Sequence, residues 1–152
     1  MNKWDVKFNE LAKHVSSWSK DKSVKVGAVI VNPDDKNPIS MGFNGFPSKV
    51  NEDIAERHER PLKYFYTVHG EINAIANAAK NGQRTKGCDM YVTYFPCCNC
   101  AGAIVNAGIK RVFCDEAPDF NHERWGENWK ISSTILEEGG VEVIYMNYDA
   151  NR

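Results

Sequence analysis

A three-layer α/β/α fold around a five-stranded mixed sheet is what the 152-residue sequence predicts, and three observations carry that reading. Strands and helices alternate singly through the second half, which calls for parallel crossovers. Two short apolar runs, 26–31 and 39–43, lie too close together for a crossover and pair instead as an antiparallel hairpin at one edge of the sheet. A composition of 42% hydrophobic and 26% charged residues belongs to a globular chain long enough to bury a core, not to a disordered, collagen-like or membrane-spanning one. No internal repeat, low-complexity tract or linker divides it, so residues 1–152 are expected to form a single domain.

The elements follow in order. Trp4, Phe8, Leu11, Val15 and Trp18 recur at alternating steps of four and three, the stripe of an amphipathic opening helix. Val26 to Val31 is almost wholly apolar and β-branched, and Asn32-Pro33-Asp34-Asp35 ends it; this is a central strand covered on both faces. Ile39 to Phe43 is its partner, closed by Asn44-Gly45 and Pro47. Ser48 to Tyr64 is charged and lacks periodicity, which predicts a long loop with at most a helical turn. Val68, Ile72, Ile75, Ala76 and Ala79 mark a helix stopped by Asn81-Gly82. Met90 to Phe95 is a strand, and Pro96 opens a helix carrying Ala101, Ile104 and Val105 as far as Gly108. Ile109 to Cys114, Trp125 to Glu138 and Val141 to Tyr145 complete the pattern as strand, helix and strand.

Nineteen basic residues against twenty acidic ones leave a formal charge of −1, so no global positive field draws the chain to nucleic acid or acidic lipid. A small-molecule partner is the expectation. The polar start Met1-Asn2-Lys3-Trp4-Asp5 lacks the apolar run of a signal peptide, so a reducing cytoplasm is the expectation. In that setting five cysteines, three of them crowded at Cys97, Cys98 and Cys100, point to metal or catalysis before disulfides.

The candidate chemistry sits at two helix starts, His69-Gly70-Glu71 and Pro96-Cys97-Cys98-Asn99-Cys100. Cys97 and Cys100 can both face one ion at a helix N-terminus, and His69 completes a three-ligand set of the donors zinc prefers. Three protein ligands leave a fourth position for water, the catalytic pattern, and zinc so held lowers its water's pKa to roughly 7. Glu71 is the proton carrier such chemistry needs. It shares a site with His69 only if His69 caps the helix and Glu71 lies in the first turn, since residues two apart inside a helix diverge. The order H-x-E then P-C-x-x-C, with 28 positions from His69 to Cys97, matches the general signature of zinc deaminases.

Alternatives accompany each reading. A structural knot closed by Cys98 or Cys114 would leave Glu71 a surface carboxylate, and a Cys98-x-Cys100 register is a separate alternative; Cys88 and Cys114 read as small buried hydrophobes. His14, His58 and His122 read as structural or solvated. Asn44-Gly45 is either a plain turn or a place where an amide reads a sugar hydroxyl. Phe95 either stacks on a base or belongs to the core. Lys20, Ser23 and Lys25 lie in a basic stretch that holds a phosphate or is simply a solvated face.

The whole series of blocks resembles the deoxycytidylate (dCMP) deaminase branch of the cytidine deaminase-like superfamily. The blocks are Ser19-Lys20-Asp21, Lys25 to Val31, Gly42 to Pro47, Glu59 to Tyr64, Val68 to Ile75, Gly87 to Thr93 and Ala107 to Val112, so the likeness covers roughly residues 4 to 145. The resemblance implies the cytidine deaminase-like fold, hydrolysis of dCMP to dUMP and ammonia for thymidylate synthesis, and His69, Cys97 and Cys100 as zinc ligands. It further implies Glu71 as proton shuttle, Asn44 as a substrate contact, and a homo-oligomer, commonly a hexamer, with dCTP and dTTP as effectors together with Mg2+. Two departures stand out. Gly70 occupies a position where the family usually has alanine, and Asp115 to Glu127 does not follow the pattern of the regulated enzymes, which puts allosteric control in question.

Overall fold

The computed structural model describes residues 2–146; Met1 and residues 147–152 lie outside it. Five strands, β1 (Gly27–Asn32), β2 (Asn37–Phe43), β3 (Asp89–Val92), β4 (Arg111–Cys114) and β5 (Glu142–Tyr145), form one sheet in the order β2-β1-β3-β4-β5. β1 pairs antiparallel with both β2 and β3, while β3, β4 and β5 run parallel. β2 and β3 therefore point the same way, and the carboxyl ends of β2, β3 and β4 share one edge of the sheet.

The helices are α1 (Lys3–Ser16), the single turn α2 (Lys63–Tyr66), α3 (Gly70–Lys80), α4 (Cys98–Asn106) and α5 (Gly126–Glu138). Alternation along β1 sorts them into layers. Val29 and Val31 face Phe8, Ala12 and Val15 of α1, together with Tyr91 and Phe113. Ala28 and Ile30 face the opposite cluster, in which α3, α4 and α5 contribute Ala74, Ala101, Ile104, Trp129 and Leu136. One helix thus covers one face of the sheet and three cover the other. The crossovers β3-α4-β4 and β4-α5-β5 lie on the same face, as successive right-handed connections progressing one way along a sheet must.

Local chemistry fixes each helix in place. α1 starts with a capping box: Asn2 Oδ1 accepts from the backbone of Trp4 and Asp5 at 2.9 and 3.0 Å, and Asp5 Oδ2 accepts from Asn2 N–H at 2.9 Å. Such a cap contributes about 1 kcal/mol. A fully formed pair joins β3 to β4, where buried Asp89 accepts from Arg111 Nε at 2.9 Å and Nη2 at 2.6 Å. Removing Arg111 would strand a buried carboxylate, typically at a cost of about 3–5 kcal/mol.

α3 lies directly on β2. A Cβ at Gly42 would stand 2.3 Å from Ala74 N and 2.4 Å from Gly70 O, so no side chain fits there. Ser40 Oγ donates to Ala74 O at 2.6 Å, Asn77 Nδ2 to Met41 O at 2.8 Å and Asn73 Nδ2 to Phe43 O at 2.8 Å, which locks the helix along the strand. That closeness corrects the expected apolar stripe of α3. The buried residues are Gly70, Glu71, Ala74 and Ala78, not Ala76 and Ala79, because small residues such as Gly70, Ala74 and Ala78 let helix and strand approach this closely.

Other expectations shift at the edges. The strand read as Met90 to Phe95 ends at Val92, and Trp18 lies beyond the end of α1 and is exposed. The loop from Ser48 to Tyr64 holds a 3-10 turn, Ala55–His58, and the start of α2. Among the described residues no helix is long and apolar enough to cross a membrane.

Candidate active site

Two loops at the common edge deliver the motif residues to helix N-termini. His69 is the N-cap of α3 with extended φ/ψ of −67°/151°, and Glu71 is the second residue of that helix, the only arrangement in which both can serve one site. Cys97 is the N-cap of α4 at −74°/171°, which leaves Cys100 one turn in. Neither N-cap side chain makes a capping hydrogen bond; the two turn toward each other instead. His69 Nδ1 lies 3.4 Å from Cys97 Sγ and 3.4 Å from Cys100 Sγ, and the three donor atoms lie within 4.8 Å of one another.

These positions fit a zinc ion. Bonds of about 2.0 Å to nitrogen and 2.3 Å to sulfur in a tetrahedron set those atoms roughly 3.5 Å apart. Burial is graded, with His69 exposed, Cys97 half-buried and Cys100 buried, so the group opens to solvent on one side. Among the described residues this is the one histidine, cysteine and carboxylate cluster of metal-holding geometry. Cys98 is not part of it: its Sγ–H donates to Asn128 O at 3.0 Å. Cys88 and Cys114 are buried, as their reading as small hydrophobes requires.

The electrostatics are those of a proton-sharing cluster. A hydrogen bond from Cys100, assisted by His69, pulls the Cys97 thiol down to about 4. The same bond, with burial and the nearby Glu71, pushes the Cys100 thiol up. The partnership with Cys97 raises the His69 imidazole above its usual value despite desolvation. Burial raises Glu71, opposed by its own backbone N–H, His69 and Cys100. A carboxyl group only 4% exposed and within hydrogen-bond reach of Cys100 is placed to hold and pass protons.

Residues 2–116 match the cytidine and deoxycytidylate deaminase zinc-binding region. The chain belongs to that family. It is 42% identical over 149 residues to an uncharacterized deaminase in the luxG 3′ region of Aliivibrio fischeri, covering 98% of this chain and 97% of that one. It is 41% identical over 114 residues to the mouse deoxycytidylate deaminase, 72% of this chain but only 62% of the mouse enzyme. The dCMP deaminase of cyanophage S-TIM5, solved with dCMP and dUMP, superposes with a TM-score of 0.77 at 26% identity, covering 96% of this chain and 99% of that one. The five-stranded mixed sheet is thus the cytidine deaminase-like fold.

At Gly70 the surrounding backbone leaves little room for a side chain. A Cβ there would stand 3.2 Å from Val26 O and 3.4 Å from Gly42 O, a tight fit against backbone.

Beside the metal corner lies a cleft of about 460 Å³. His69, Glu71, Cys97 and Cys100 are not in its lining; the two regions meet along Asn44-Gly45 and Thr67-Val68, where Gly45 and Val68 exchange backbone hydrogen bonds of 3.1 and 2.8 Å. Lys20, Ser23, Asn44 and Gly45, which the sequence offered as substrate contacts, line the cleft. Asn44 is buried, and its amide already holds the turn before β1, accepting from Val26 N–H and donating to Val24 O, both at 2.8 Å. Lys20 pairs with Glu52.

Two expected contacts are corrected. Lys25 is not in the cleft lining, because its ammonium is spent on Ser19 O at 2.8 Å. Phe95 is 5% exposed and packs edge-on against Phe120 and near Tyr145, so it is core and not a stacking surface.

The cleft also gathers residues to which the sequence gave no role. Lys63 Nζ donates to Ser23 Oγ at 3.0 Å and lies 3.6 Å from Asp21, and Arg60 joins it on the lining. The sequence signal was present in the Glu59 to Tyr64 block, which matched the family before any chemistry was attached to it.

Proposed function

We propose that the protein is a zinc-dependent deaminase that hydrolyses dCMP to dUMP with release of ammonia, supplying dUMP for thymidylate synthesis. The observation that carries this reading is the His69, Cys97 and Cys100 donor group with the buried Glu71 carboxyl beside it. The names of the mouse and phage relatives support the choice of nucleotide.

His69, Cys97 and Cys100 hold the metal, which when bound supplies an acidified water with a pKa near 7. With the metal bound, Glu71 would carry one proton from the attacking water to the ring nitrogen and then a second, from the hydroxyl formed on the ring carbon, to the amine, which leaves as ammonia as that hydroxyl becomes the carbonyl. A bond forms from the amine-bearing ring carbon to oxygen, and the carbon–nitrogen bond breaks. Burial of Glu71 lets it hold the proton between the two steps. Asn44 and Gly45 contact the sugar, and Lys20 and Ser23, with Lys63 behind them, receive the phosphate. Binding requires these groups to exchange their present internal partners for the substrate.

Residues 1–152 act as one deaminase domain in the cytoplasm, assembled as a homo-oligomer of the hexameric kind, with no membrane or nucleic-acid partner. Response to dCTP and dTTP with Mg2+ belongs to the same proposal. These points rest on the resemblance and on the near-neutral charge.

The test is to incubate zinc-loaded protein with dCMP and follow dUMP and ammonia. Equal yields of the two, abolished by a chelator and restored by zinc, are expected. Recovery of unchanged dCMP would overturn the reading.

A further inference from the structure

The loop carrying Cys97 is held from behind by a helix that contributes no ligand. Three hydrogen bonds from α5 bracket Cys97 on both sides. Ser132 Oγ–H donates to Pro96 O at 2.7 Å, Asn128 Oδ1 accepts from Cys98 N–H at 3.0 Å, and Asn128 O accepts from Cys98 Sγ–H at 3.0 Å. We propose that Asn128 and Ser132 are positioning residues for the metal site, fixing the start of α4 so that Cys97 and Cys100 meet His69. This rests on the zinc reading above and deepens it.

Helix-end accounting gives the first reason. The opening N–H groups of a helix need acceptors, and the N-cap side chain normally supplies one. Cys97 is the N-cap of α4, but its sulfur turns to His69 and makes no cap. The amide of Asn128, 30 positions along the chain, accepts from Cys98 N–H, the first of those opening groups.

A contrast within α5 gives the second. A hydroxyl inside a helix commonly bonds back to the carbonyl four residues earlier. Thr134 does so, donating to Lys130 O at 3.2 Å. Ser132, which has no exposed surface, reaches across to Pro96 O at 2.7 Å instead.

α5 is itself anchored at its start, as a positioning element must be. A Cβ at Gly126 would stand 2.3 Å from Phe120 O, so the helix start lies against that carbonyl. Gly126 N–H donates to His122 O at 2.9 Å, and His122 Nδ1 accepts from Arg124 and Trp125 N–H at 3.1 and 3.0 Å. The Asp115 to Glu127 segment, which follows no pattern of the regulated enzymes, thus gives footing to the helix that aims the cysteines.

The experiment measures zinc dissociation constants by chelator competition for the parent protein, Asn128→Leu, Asn128→Asp and Ser132→Ala, and records the visible spectrum of each cobalt-substituted protein. Loss of such supporting bonds commonly weakens metal binding 10–100-fold, so Asn128→Leu should fall in that range with an altered cobalt spectrum, and Ser132→Ala near its lower end. Asn128→Asp keeps an acceptor for Cys98 N–H and should bind within about threefold of the parent, with the parent's spectrum. A general loss of stability would not make that distinction between leucine and aspartate. If Asn128→Leu does not fold, Ser132→Ala decides alone. Parent-like affinity and spectra in every variant that folds would overturn the inference and leave the zinc reading standing; a parent that binds no zinc would overturn both.

Discussion

The metal corner and the cleft of mixed charge adjoin along Asn44-Gly45 and Thr67-Val68, yet they are built in opposite ways. In the corner the functional groups sit on the first turns of two helices whose bodies are in the core through Ala74, Ala78, Ala101 and Ile104. Glu71 and Cys100 are buried, and His69 and Cys97 give up capping to face each other. In the cleft wall Lys20 and Ser23 are exposed, Lys63 is borrowed from a different segment, and the polar groups already hold one another. The corner is preorganised and has no substitute for any of its parts. The cleft is a set of exchangeable partners in high dielectric, where one missing charge is partly replaced by water or by a neighbour. One substitution should therefore end turnover in the corner, whereas in the cleft it should only grade binding.

The sharpest break in that comparison comes from Glu71→Gln, which keeps size and burial but cannot carry the proton. Zinc content should match the parent while kcat falls at least 10²–10⁴-fold, measured as ammonia release beside metal analysis. Undiminished turnover would remove the proton-carrier role. In the cleft, Lys63→Ala should raise KM for dCMP about tenfold and leave that for deoxycytidine unmoved, the effect of one partly exposed charged contact. Equal effects on both compounds would show that Lys63 does not meet the phosphate. Lys20→Ala should do less, roughly two- to fivefold in KM, since its ammonium is more exposed and paired with Glu52. Lys25→Ala should change KM by less than about twofold, because its ammonium serves Ser19 O away from the cleft. Cys98→Ser belongs at the small end as well. If Cys97 and Cys100 are the ligands, the serine variant should bind zinc and turn over within a few-fold of the parent, as its hydroxyl can still donate to Asn128 O. Loss of the metal would shift the ligand register to Cys98.

The same contrast explains what was legible in the sequence. The corner could be read because its chemistry is local: His69 with Glu71 and Cys97 with Cys100 are short-range spacings, and a helix start dictates how each must point. The sheet could be read because β1 is apolar from Gly27 to Val31 and the later strands and helices alternate cleanly. Lys63, Asn128 and Ser132 could not, because each acts on a partner 30 to 40 positions away and a lysine, asparagine or serine carries no periodic signal. Phe95 adjoins the cysteines in sequence, but the chain past Val92 carries it inward against Phe120 and Tyr145. The α3 stripe misled for a different reason. Periodicity reports hydrophobicity, and a helix seated on Gly42 needs small residues where it meets the strand.

The account's central claim is that a deaminating metal corner and a phosphate-reading cleft serve one nucleotide. Its most direct test is kcat/KM for ammonia release from dCMP, deoxycytidine, dCTP and cytosine, measured side by side on the zinc-loaded protein at one salt concentration. The account predicts that dCMP exceeds deoxycytidine by about 10²-fold or more, as expected when a charged contact and its bound neighbours are lost together, and that cytosine is barely turned over. Equal turnover of dCMP and deoxycytidine, or reaction of only the unphosphorylated compounds, would contradict it.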